Sequence, residues 1–400
     1  MSASPARSTL ESLRPTHGIV AHGMGVGAVL PDWPPLTVAE VAGLLRHYPD
    51  AGTVRGILSH SPRPFSAASV VATVGGARTA VFVKRHHARV RTSAQLEDEH
   101  AFMDHLRRRG APLGVQICDV LATATGDRAL TLGEWTYEVH GLAPGLDLYR
   151  DALSWTPFRD LGHAHAAGTA LARLHRASEG FDRPHRRGQA LVSGFTLFSS
   201  DDPLAAMADY VAARPALADY LSTRPWRRDT QRLLLPFHEA LRPHLGDLPS
   251  LWTHNDPHAS NLTWTGTGPT AGVSAVLDFG LADRTTALYD LATAIERNTV
   301  EWLALTEGRQ PAVHLDQVAA LMAGYHAVSP LDTRRRQALA ALLPVVHAEF
   351  ALAETDYFHG ITRSVENAGL AYEGYFLSHA AWFHGADGQA LLAHIRDLAL

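Results

Sequence analysis

Four hundred residues, 46% apolar and 19% charged, suffice for two or three domains or one large bilobal unit, and they exclude a disordered or low-complexity chain. A net charge of −5 argues against a nucleic-acid or anionic-membrane binder. The single cysteine, Cys118, excludes an intrachain disulfide and any cysteine-built metal centre.

The amino-terminal residues are rich in Gly and Pro and end in the extended Pro31-Asp32-Trp33-Pro34-Pro35. They hold no continuous apolar stretch of signal-peptide type, and no 18-residue apolar run follows, so the expectation is a soluble cytoplasmic protein without membrane contact. Thr37-Val38-Ala39-Glu40 has capping-box spacing and predicts a helix to about Tyr48. Strands are predicted over 54–58, 69–74 and 79–84, with Gly75-Gly76 as a hairpin turn, and a helix over 93–109 stopped by Gly110-Ala111-Pro112. Further strands follow at 115–121, 129–132 and 135–139. The strand Val81-Phe82-Val83-Lys84 ends in the only lysine among 35 Lys and Arg, a position to test for work that arginine cannot do. His86-His87, next in the chain, reads as a solvated turn.

After Gly141-Leu142-Ala143-Pro144-Gly145 the texture becomes helical, at 161–175, 203–245, 287–305, 312–327 and 333–356. The exception is 251–279. There Trp252-Thr253-His254-Asn255-Asp256-Pro257-His258-Ala259-Ser260-Asn261 leads into a hairpin that ends in Asp278-Phe279-Gly280. The predicted fold is therefore α+β and bilobal, with a small antiparallel-sheet lobe carrying one helix and a larger helical lobe. The expected division is an N-terminal segment and helix at 1–53, a nucleotide-binding lobe at 54–139, and at 140–400 a helical lobe with catalytic loop and acceptor pocket.

The hairpin brings Asn261 and Asp278 to one end, facing Asp256. Phosphoryl transfer calls for that set: hard oxygen ligands for a metal on the nucleotide phosphates, a second carboxylate for the acceptor proton, and a fixed cation such as Lys84 on the phosphates.

In H-x-D-x-x-x-x-N followed by an apolar strand and D-F-G, this chain resembles the aminoglycoside phosphotransferase/choline kinase family. Leu171-Ala172-Arg173-Leu174-His175 and Tyr289-Asp290-Leu291-Ala292 extend the resemblance across roughly residues 54–300. The resemblance implies a protein-kinase-like fold and an enzyme that uses ATP and Mg2+ to phosphorylate a hydroxyl of a small molecule. It implies Asp256 as catalytic base, Asn261 and Asp278 as Mg2+ ligands, and Lys84 on the phosphates with Glu99 as its ion-pair partner. It also implies the backbone at Glu138–His140 as the hinge that reads adenine, and a nucleotide-covering loop from Ser59 to Ser66. His254 and Asp290 are expected to fix the catalytic loop. Glu349, Asp356 and Tyr357 are candidates for an acceptor pocket that takes an amine-bearing substrate. The acceptor stays open between an aminoglycoside-like antibiotic and a homoserine, choline or sugar metabolite. A nucleotide-binding pseudokinase is the alternative of another class.

Two departures stand out. Asn255 replaces the family's usual Gly between His and Asp, and the 59–66 segment has no G-x-G-x-x-G.

Overall fold

The computed structural model describes residues 21–22, 28–29, 31–110, 113–153, 155–186 and 188–400. Most of the N-terminal approach segment, and Ala111-Pro112 of the expected helix stop, lie outside the described residues. Helix α1 (Val38–Leu45) opens on the capping box foreseen: Thr37 Oγ1 accepts from Glu40 N, and Glu40 reaches back to Thr37 N.

The first lobe is a five-stranded antiparallel sheet of β1 (Thr53–His60), β2 (Ala67–Val74), β3 (Ala80–His87), β5 (Ala129–Leu132) and β6 (Trp135–Gly141). The short β4 (Gln116–Ile117) lies outside it, and the spatial order is β1-β2-β3-β6-β5. Alternation along β3 sorts its side chains. Val81 and Val83 enter a core shared with Val41, Leu44 and Leu45 of α1, and Arg85 on that face pairs with Glu40 at 2.7 Å. Phe82, Lys84 and His86 take the other face. His86 is buried within the strand, so the expected solvated turn does not begin there.

Helix α2 (Ser93–Arg109) is capped by Thr92 and follows β3. Its apolar residues Phe102, Met103 and Leu106 join the larger core of the second lobe rather than the sheet core, so the helix couples the lobes. That core is built on α3 (Leu161–Ser178), the helices between residues 203 and 241, α4 (Ala287–Thr299), α5 (Leu315–His326) and α6 (Ala348–Tyr357). Gly168 and Gly324 let α3 and α5 approach closely, since a Cβ on Gly168 would stand 2.0 Å from the Leu321 carbonyl. Thr333–Thr362 is the one helical stretch among the described residues long and apolar enough to cross a bilayer, and 94% of its apolar window is buried inside the protein.

Two small ladders carry the expected β interruption. Strand β7 (Ser250–Thr253) pairs with β10 (Asp283–Thr286), and β8 (Leu262–Trp264) with β9 (Val273–Val276), both antiparallel. They frame the loop 254–261 and hold residues 278–280 next to it.

Candidate active site

The loop between β7 and β8 is fixed from below by a buried carboxylate. Asp290, in the first turn of α4, accepts from His254 N and Asn255 N, each at 2.9 Å. The same carboxylate lies 3.0 Å from His175 Nε2, and His175 Nδ1 lies 2.9 Å from Tyr325 Oη. The chain α5–α3–α4 thus orients the loop. His254 Nε2 meets the Leu277 carbonyl at 2.7 Å, which ties the loop to the end of β9.

Asn255 has φ of +61°, in the left-handed region that glycine enters freely and Asn better than most residues. Its side chain offsets part of the strain: Oδ1 accepts from Thr253 at 2.8 Å and Thr285 at 3.1 Å, and Nδ2 donates to the Leu281 carbonyl. The residue in place of the family's glycine therefore keeps the turn and fastens β7, β10 and the segment after Asp278 together.

Above this loop, Lys84, Asp256, Asn261 and Asp278 line one cleft. Lys84 Nζ donates to Asp278 Oδ1 at 2.8 Å. Asn261 Nδ2 donates to the Asp256 backbone carbonyl and to its Oδ2, both at 3.0 Å, which leaves Asn261 Oδ1 as a hard oxygen for a cation. Asp256 Oδ2 lies 3.4 Å from His258 Nε2, and Oδ1 lies 3.9 Å from Arg297 Nε. Burial raises the pKa of Asp256, but His258 and Arg297 outweigh it and hold the carboxyl well below the usual range. Asp278 behaves alike: burial pushes it up, and the Lys84 ammonium more than reverses the shift. Burial works against the charge on Lys84, yet Asp278, Glu138 and Glu99 together raise its pKa above the ordinary value.

Backbone strain gathers here. Asp278 (φ +50°), Trp155 (+57°) and Leu191 (+46°) line the cleft in the left-handed region, next to Asn255. Gly280 leaves room beside the ion pair, because a Cβ there would stand 3.1 Å from Asp278 Oδ1 and 3.8 Å from Lys84 Nζ.

Several expected positions need correction. Glu99 is buried on α2 and accepts from Arg186 Nη2 at 3.3 Å, whereas Lys84 takes Asp278 as its partner. Arg186 also donates to the Gly280 and Ala282 carbonyls, so Glu99 ties α2 to the turn after Asp278. The backbone at Glu138–His140 is not a free hinge edge. Strand β6 lies inside the sheet, paired with β3 on one side, with Ala129 opposite Glu138 on the other, and with Leu121 N donating to the Val139 carbonyl at 2.8 Å. Ser59 is a buried strand residue, and the segment that lines the cleft is Arg63–Ser66. Arg63 there donates to Ser260 Oγ at 2.6 Å and joins this segment to the 254–261 loop.

The acceptor candidates also face elsewhere. Glu349 accepts from Thr196 N at 2.7 Å and Leu197 N at 3.2 Å, Asp356 accepts from Leu217 N at 3.0 Å, and Tyr357 donates to Asp32 at 2.8 Å. The two carboxylates cap neighbouring segments, and Tyr357 holds the Asp32 side chain. Glu354 and Phe350, one turn apart on the same helix, line the cleft instead, with Trp155, Arg297 and Tyr375. The signal was available: Glu349 and Asp356 are seven residues apart and share one helix face, while Phe350 and Glu354 are an i, i+4 pair on another. Glu354 Oε2 is buried with no hydrogen-bond partner among the described residues, and burial pushes its carboxyl up to about 8 against the pull of Arg297.

The model of the phosphotransferase enzyme family matches residues 63–339. A homoserine kinase of Methylobacterium radiotolerans is 29% identical over 247 residues, covering 60% of this chain and 62% of that protein, so the match spans under two thirds of the relative's length. Among solved structures, amicoumacin kinase hAmiN in complex with AMP-PNP, Ca2+ and Ami is similar with a TM-score of 0.53 at 14% identity, over 90% of this chain and 91% of that one. The GDP and kanamycin complex of APH(2")-IIia is similar with a TM-score of 0.50 at 12% identity, over 86% and 99%. At these identities the shared property is the fold, the bilobal kinase-like arrangement of a five-stranded antiparallel sheet and a larger helical part.

Proposed function

Because this chain belongs to the phosphotransferase enzyme family, we propose that it is a cytoplasmic kinase that uses ATP and Mg2+ to phosphorylate a hydroxyl of a small molecule. The observation that carries the reading is the meeting of Lys84, Asp256, Asn261 and Asp278 in one cleft, from strands and loops far apart in sequence.

Asp256 is ionised at neutral pH and sits where an acceptor hydroxyl can enter, so it orients that hydroxyl and accepts its proton. Asn261 Oδ1 and the Asp278 carboxylate fit Mg2+, a hard cation that takes oxygen ligands and keeps part of its water shell. When bound, Mg2+ screens the charge of the nucleotide phosphates. Lys84 exchanges its bond to Asp278 for the phosphates and fixes them as a point charge. Catalysis is then mostly positioning and charge stabilisation.

Beyond Asp256 the cleft suits an acceptor bearing a basic nitrogen. Among the described residues none hydrogen-bonds Glu354 Oε2, and Trp155, Phe350 and Tyr375 supply aromatic walls. Arriving as an ammonium, the acceptor would ionise Glu354 and pair with it. Arg297 beside Glu354 favours a second reading, an amino-acid alcohol of homoserine type whose carboxylate meets Arg297.

The test is nucleotide consumption with and without Mg2+ across amino alcohols, amino-acid alcohols and aminoglycosides. An acceptor consumed by the wild type and spared by Asp256→Asn supports the reading. Mg2+-dependent nucleotide binding with no acceptor consumed would instead favour a nucleotide-binding protein without turnover.

A further inference from the structure

A second cluster of ligand-type side chains lies behind Lys84, on the sheet face that α2 covers. Glu138 and His140 are two residues apart on β6, so both point to the face that α2 covers, and His100 comes from α2. His100 Nε2 lies 2.8 Å and His140 Nε2 3.0 Å from the same oxygen, Glu138 Oε2. These three ligand atoms lie within 4.8 Å of one another, a spread that small side-chain shifts close around one ion. His86 Nε2, from β3, lies 2.8 Å from the other carboxylate oxygen, Oε1. Glu138, His100 and His86 are buried and His140 nearly so.

From this geometry we propose a transition-metal site, of the Zn2+ class, formed by His100 Nε2, His140 Nε2 and Glu138 Oε2, with the fourth position taken by water. Two imidazoles and a carboxylate are a zinc donor set, and three protein ligands with one open position are a common zinc arrangement. His86 on Oε1 is the outer hydrogen-bond partner that orients a ligating carboxylate. The site differs in kind from the oxygen ligands Asn261 and Asp278, which suit Mg2+.

The position gives the ion a structural task. The apolar residues of α2 pack into the core of the second lobe, so contact between its His100 and Glu138 of the sheet is a polar link between the lobes. A bound ion replaces a hydrogen bond with two coordinate bonds and fixes α2 against β6. Glu138 is also the strand partner of Lys84, so the ion would sit one residue pair from the phosphate-binding ammonium. Lys84 and Arg91 lie near enough to oppose a cation, and Glu99 and Asp278 partly offset them.

The experiment uses the full chain, freed of metal by chelator dialysis and titrated with Zn2+ against a chromophoric chelator, without nucleotide. The expected result is one tight equivalent per chain and a higher unfolding midpoint with zinc. His100→Gln and His140→Gln should each lose that equivalent, with affinity falling at least 100-fold. His86→Gln should weaken binding by roughly 10- to 100-fold. His314→Gln, at a surface pair with Glu301, should keep it. Co2+ loading of the wild type gives a readout that needs no variant, since four-coordinate cobalt absorbs strongly in the visible. Absence of a tight equivalent, its survival in both His100→Gln and His140→Gln, or a weak six-coordinate cobalt spectrum would overturn the site.

Discussion

Lys84 Nζ and Asp278 Oδ1 meet at 2.8 Å, although 194 residues separate them in sequence. The pair joins the sheet lobe to the turn after β9 and neutralises two groups that a metal–nucleotide would engage separately. On the proposed function, nucleotide binding would exchange the ionic partners of this pair. Lys84→Arg keeps the charge but puts a forked, bulkier group beside Gly280. Steady-state kinetics should show kcat/KM lower by roughly 100-fold or more, while the protein stays folded.

Asp278→Asn removes the charge that opposes Lys84 and one proposed metal ligand. Calorimetric titration should show nucleotide affinity losing most of its Mg2+ dependence, while the affinity measured without metal holds or rises because Lys84 is released.

Asp290 is fully buried and satisfies two backbone N–H groups of the 254–261 loop. Asp290→Ala strands both donors and should cost about 3 kcal/mol of stability by denaturant unfolding. Asp290→Asn keeps an acceptor oxygen and should cost less, while lowering kcat by loosening the loop.

Asn255 holds φ of +61° and fastens three segments through its side chain. Asn255→Ala combines a left-handed alanine with lost hydrogen bonds, whereas Asn255→Gly loses only the bonds. The alanine variant should therefore be the less stable of the two, by about 1 kcal/mol.

Burial pushes the Glu354 carboxyl up to about 8, so in the free enzyme it is protonated below that pH and ionised above it. If the ionised form takes the acceptor's ammonium, kcat/KM for an amine-bearing acceptor should rise as pH passes from 7 through 8 and level off above, for acceptors that keep their proton there. In Glu354→Gln that limb should vanish and acceptor KM should rise roughly tenfold or more, with nucleotide KM unchanged. An unchanged pH profile would remove Glu354 from the acceptor site.

The architecture was legible in the sequence because its signals are local. The Thr37 capping box, the apolar strand that ends at Lys84 and the hairpin ending at Asp278 each follow from residues close together in sequence. Partners brought together by packing were not legible. Nothing near Glu99 in sequence indicates that Arg186 would reach it, because that pairing depends on α2 docking its Phe102 and Leu106 into the second lobe's core. The Glu138 and His140 side chains were invisible as a cluster for the same reason, since His100 arrives from another element. At the acceptor end helix phase decides: Phe350 and Glu354 face the cleft, while Glu349 and Asp356 lie on another face of the same helix.

The most direct test of the phosphotransfer account is turnover by Asp256→Asn beside its nucleotide affinity, measured with Mg2+ and an acceptor the wild type consumes. The account predicts kcat lower by roughly 10²- to 10⁴-fold with nucleotide binding intact. Turnover at the wild-type rate in that variant would contradict it.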